Sequence, residues 1–222
     1  MFSRFLRWSF NFLASLLARR EVQGLENFPA QGPCILAINH LSIFDLPLVF
    51  GLVGGENVTG WAAEKYARHP LFGLILRMGN AIFIERGQVD RHAIEAAVAW
   101  IQRGNMFGIA PEGTRSKTGA MARAKTGVAY LASEVDVPIV PIAVAGTENT
   151  IACWRRLRRP KFTMWVGKSF RLPPLDETDR NASLRANADE VMCRIAVMLP
   201  PRYRGYYADH PRLQELLTRS DS

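Results

Sequence analysis

Short apolar runs, bordered by glycine, proline or polar residues, alternate along the chain with longer stretches of helical spacing. The runs CILAIN (34–39), AIFI (81–84), MFGIA (106–110) and VPIVPIAVA (137–145) have the length and β-branched content of buried strands. Between them, residues 90–104 place Ile94, Ala97, Val98 and Ile101 along one side and stop at Gly104. Residues 63–79, interrupted by Pro70, are also helical in spacing, as are 124–135 and 181–199. Strands alternating with helices predict an α/β domain, a mostly parallel sheet flanked by helices. Chemistry in such folds gathers at the carboxyl ends of strands, and His40, Arg86 and Glu112 each follow a predicted strand. The proline-rich stretch 171–180 reads as a surface connection, and 218–222 as a frayed end.

Residues 1–20 differ from the rest, with Phe, Leu and Trp set between arginines near both ends. The uncharged stretch from Arg7 to Arg19, taken as a helix, spans roughly 16 Å. A hydrocarbon core is about 30 Å thick, so this stretch is too short to cross it. An amphipathic helix lying at a membrane interface is the reading adopted, with a core-packed helix as its competitor. No small-x-small cleavage site precedes Arg19, which argues against a signal peptide.

Composition sharpens this only in part. Of 222 residues, 28 are Lys or Arg and 20 are Asp or Glu, a formal charge of +8. Anions are therefore the natural partners, whether phosphate, membrane surface or nucleic acid. Nucleic acid is set aside, since no recognition motif or stacking platform accompanies the arginines. Cys34, Cys153 and Cys193 are odd in number and widely spaced, which speaks against a disulfide framework or a zinc site.

His40 and Asp45 are the sharpest chemical signal. On one regular helix they would lie about 140° apart. They can meet if His40 sits in the turn after a strand and Asp45 opens the next helix, a placement that suits Pro47 in the first turn. Asp45 is then either a helix N-cap or the acid that fixes the imidazole tautomer, and His40 either a satisfied strand-end residue or a base. Arg86, Arg115 and Lys125 supply cations near the same strand ends, where guanidinium forks can grip a phosphate. Glu112 is open to three roles: orienting Arg115, accepting a hydroxyl, or satisfying loop amides.

NHLSIFD (39–45) resembles the first block of the HxxxxD glycerolipid acyltransferases. GNAIFIERG (79–87), PEGTRS (111–116) and VPIVPIAVAG (137–146) resemble the blocks that follow, in that family's order, and AKTG (124–127) its lysine-glycine step. Ala110 and Ala124 stand where the family often has Phe. The resemblance implies transfer of a fatty acyl group from acyl-CoA or acyl carrier protein to a lysophospholipid acceptor, with no metal or organic cofactor. His40 and Asp45 would be catalytic, and Arg86, Glu112, Gly113, Thr114, Arg115 and Lys125 would bind substrate. Pro141 would lie beside the site. Residues 21–222 would form the acyltransferase domain, held by residues 1–20 at the cytoplasmic face of a membrane as a peripheral or monotopic protein. The basic run 153–161 is expected to reach anionic headgroups. Rival readings are another acceptor, a thioesterase, and a non-catalytic membrane binder.

Overall fold

The structure is a computed structural model describing residues 2–53, 57–85 and 90–220. Its strands are β1 (Arg19–Gln23), β2 (Cys34–Ile38), β3 (Val58–Ala63), β4 (Ile82–Ile84), β5 (Met106–Ile109), β6 (Ile139–Ala145) and β7 (Lys161–Val166). They form one sheet in the order β1-β7-β6-β2-β5-β3-β4. All neighbours run parallel except β6 and β7. The α/β architecture with a mostly parallel sheet is as the sequence pattern predicts. β2 and β6 are buried along their whole length, which is why both read as unbroken apolar runs.

The helices are α1 (Phe2–Leu17), α2 (Asp45–Val53), α3 (Pro70–Met78), α4 (Arg91–Gln102), α5 (Gly127–Val135), α6 (Thr150–Arg155), α7 (Arg180–Met198) and α8 (Pro211–Ser220). One sheet face buries Ile35, Ala37, Phe107 and Ala143 against α4, α5 and α7. The other buries Leu36 and Ile38 of β2 with Val140, Ile142 and Val144 of β6, and Leu48 and Val49 of α2 belong to the same cluster. The carboxyl ends of β2, β5 and β6 lie side by side, because β2 sits between the other two.

Several elements differ from the sequence reading. The helix expected over 63–79 is confined to α3, where His69 caps the start by accepting the Phe72 N–H at 3.2 Å and Pro70 occupies the first turn. Ala63, at its expected start, is instead the last residue of β3, and Glu64–Tyr66 form a 3₁₀ turn. The helix of α1 ends at Leu17, and Arg19 and Arg20 pass into β1, which pairs with β7. The end of the chain is helical through Ser220 rather than frayed from 218, because Leu213 of α8 is fully buried in the core that α7 helps to build. Pro141 lies in the body of β6 opposite Ala37, and its carbonyl accepts the Gly167 N–H at 2.9 Å. It stands where β7 leaves the ladder, so the missing N–H falls at an interruption in pairing, away from the strand's carboxyl end.

Candidate active site

The site is built from three strand ends. Beyond β2, the Asn39 side chain continues the ladder toward β6: its amide donates to the Val144 carbonyl at 2.9 Å and its oxygen accepts the Val144 N–H at 2.7 Å. That pair of bonds holds the backbone of the next residue, His40, at the sheet edge.

His40 Nδ1 lies 2.9 Å from Asp45 Oδ2. Asp45 is fully buried and opens α2. Its Oδ2 also accepts the Ser42 N–H at 2.7 Å, and its Oδ1 accepts the Thr147 hydroxyl. These bonds run back to the turn and across to the end of β6, so the carboxylate orients the imidazole. A carboxylate only accepts, so Nδ1 carries a proton, and in the neutral imidazole Nε2 presents the lone pair. Nε2 has no hydrogen-bond partner among the described residues. The His40 side chain is 9% exposed, a narrow opening to solvent.

Glu112, after β5, clamps the same turn. Its Oε1 accepts the His40 N–H at 2.9 Å and its Oε2 accepts the Ala122 N–H at 2.7 Å. The Ser116 N–H reaches the His40 carbonyl at 2.8 Å. Of the three roles open to Glu112, the geometry is that of satisfying loop amides. Burial pushes its carboxyl pKa up, opposed by the two amide bonds.

Gly113 has φ +69°, and a Cβ there would lie 3.0 Å from Lys125 Cδ. The lysine stem therefore rests against the glycine. Thr114, Arg115 and Lys125 are exposed, and neither Arg115 nor Lys125 has an ion-pair partner among the described residues. Lys125 does not open a helix, since α5 begins two residues later at Gly127. Arg86 lies outside the described residues.

A further set of supports escaped the sequence reading. The Tyr207 hydroxyl accepts the Ala124 N–H at 3.0 Å and donates to Asp189 Oδ1 at 2.9 Å. Arg185 donates to the Ala124 carbonyl at 2.6 Å and grips Asp189 at 2.9 and 2.6 Å. Met121 bonds through its backbone to Tyr203 and Tyr206. The segment leading into Lys125 is thus held by α7 and the turns after it. Among the described residues, no group of three or more His, Cys, Asp or Glu side chains is arranged to hold a metal.

Residues 19–145 match the model of the Acyltransferase family, and the chain belongs to that family. It is 29% identical over 160 residues to a chloroplast 1-acyl-sn-glycerol-3-phosphate acyltransferase of Brassica napus, covering 66% of this chain and 45% of the relative. It is 31% identical over 134 residues to the human 1-acyl-sn-glycerol-3-phosphate acyltransferase alpha, covering 59% and 47%. The chain spans about half the length of these curated relatives. Its fold is similar to the crystal structure of the 1-acyl-sn-glycerophosphate acyltransferase of Thermotoga maritima, with a TM-score of 0.62 and 24% identity over 86% of this chain and 76% of that one.

Proposed function

We propose that the chain transfers a fatty acyl group from a thioester to the sn-2 hydroxyl of lysophosphatidic acid, giving phosphatidic acid. One observation carries this reading: a histidine whose Nδ1 is fixed by a buried, fully bonded carboxylate, leaving Nε2 free at a strand end. Nε2 takes the hydroxyl proton as the oxygen bonds to the thioester carbonyl carbon. The tetrahedral adduct then expels the thiolate, which recovers the proton from the imidazolium. The imidazolium is stabilised by Asp45, and no enzyme nucleophile is required. Arg115 and Lys125 hold the acceptor phosphate, so that binding becomes positioning. Arg86 is assigned to the same task by its place in the sequence.

The acceptor lives in a bilayer, and the exposed apolar residues support docking at one. Trp8, Phe12, Leu13, Leu16 and Leu17 of α1 are exposed. No helix among the described residues is long and apolar enough to cross a membrane. We assign α1 to the membrane interface, with the protein peripheral or monotopic at the cytoplasmic face. α1 packs on α2, which begins with Asp45, so the docking helix is close to the catalytic pair.

The test is purified protein with acyl-CoA or acyl carrier protein and a panel of acceptors, the products identified by mass. Phosphatidic acid from lysophosphatidic acid is expected. Arg115→Ala should weaken use of phosphorylated acceptors more than phosphate-free ones. Thiol release that ignores the acceptor would identify a thioesterase instead.

A further inference from the structure

The basic run 153–161, expected to face headgroups, is divided by the fold. Arg159 donates to the carbonyls of Ser15 and Ala18 at the end of α1. Lys161 pairs with Glu21 of β1 at 2.5 Å. Arg156 and Arg158 instead line a cavity of about 530 Å³, together with Lys161 and with Arg202 from the turn after α7. That volume falls in the range of small-molecule sites.

Arg156, Arg158 and Lys161 from one stretch and Arg202 from another share this wall, and Glu21 is the single acid among its described residues. Neither Arg156 nor Arg158 has an ion-pair partner among the described residues. Glu21 takes up the charge of Lys161, so the repulsion left in the wall is between the arginines, and an anion bound between them relieves that cost. Trp165, half-buried, adds flat apolar surface to the same wall. Ala145 and Gly146 also line the cavity, and the next residue, Thr147, donates to Asp45. The cavity and His40 therefore lie on adjacent strand ends of one sheet edge.

We propose that this cavity receives the phosphate-bearing nucleotide end of coenzyme A, the carrier portion of the acyl donor. The inference rests on the thioester-transfer reading above. Guanidinium forks suit its phosphates, and the aromatic wall suits its base. A concave site fits a compact polyanion better than the convex face of a carrier protein.

Calorimetric titration of the full chain in detergent with coenzyme A and with dephospho-coenzyme A tests the assignment without any turnover. Arg156→Ala/Arg158→Ala should weaken coenzyme A binding by roughly tenfold or more, while Arg155→Ala, outside the cavity wall, should not. Dephospho-coenzyme A should bind more weakly than coenzyme A. If the double variant fails to fold, Arg202→Ala serves from a different segment and should show the same direction. Unchanged affinity in the cavity variants, an equal loss in Arg155→Ala, or no coenzyme A binding by the wild type would overturn the proposal. So would a double variant that keeps its affinity but loses flotation with phosphatidylglycerol vesicles, which would assign the arginines to lipid. Transfer from acyl carrier protein without coenzyme A binding would sink this inference and leave the transfer reading intact.

Discussion

The Thr147 hydroxyl donates to Oδ1 of Asp45, the carboxylate oxygen that His40 leaves unused. The two residues are 102 positions apart in the chain. Thr147 therefore acts as a positioning residue, holding the acid so that its other oxygen faces the imidazole. Thr147→Val, nearly equal in shape, should lower kcat by about tenfold and alter the pH profile of kcat/KM, with little change in acceptor KM. Thr147→Ser should restore most of the rate, which a purely packing role would not produce.

His40→Ala should lower turnover by roughly 10²–10⁴-fold with the fold retained. Asp45→Asn should also be severely impaired, since an amide can donate to Nδ1 and so favour the tautomer whose Nε2 carries the proton. Steady-state rates beside thermal midpoints separate these losses from unfolding. Full activity of His40→Ala would remove the histidine from the chemistry.

Glu112 accepts two backbone amides while buried. Glu112→Gln places an NH₂ against one of those donors and should cost about 1–3 kcal/mol in denaturant unfolding. Because burial raises the folded-state pKa above its ordinary value of 4.5, the folded state binds this proton more tightly than the unfolded one. The stability contributed by that difference is present below about pH 4.5 and is lost as pH rises through the raised value. The wild type should therefore lose ground to Glu112→Gln as pH rises through that window, read as the difference between their unfolding free energies.

Tyr207→Phe removes one hydroxyl that serves Ala124 and Asp189 together. We expect a stability loss of about 1–3 kcal/mol and a rise in acceptor KM larger than the fall in kcat, because Lys125 follows Ala124 directly. Equal changes in both constants would reduce Tyr207 to a structural role.

The His40–Asp45 meeting is legible in the sequence because a strand run, a spacing unsuited to one helix, and Pro47 all agree. Its supports are legible only in part: satisfying loop amides is one of the roles open to Glu112, but which amides it serves is not readable. Asn39, Glu112 and Thr147 act through bonds spanning 105, 72 and 102 residues, and local pattern carries no record of such distances. The strands absent from the sequence reading have separate reasons. β1 is a polar edge strand, RREVQ, without an apolar run. β3 contains Gly60, whose absent side chain admits the Gly108 carbonyl from β5. β7 alternates, with Phe162, Met164 and Val166 buried; that period is readable, but the arginine run before it masks the strand's start.

Gly146 adopts φ +89°, and a Cβ there would fall 2.0 Å from the Lys161 carbonyl. A methyl group at that one point would wedge β7 away from β6, tilting the Thr147 hydroxyl off its acid and spreading the arginine-lined hollow at the same stroke. Two tasks thus share a single point of failure, and alanine at this position should disable both together.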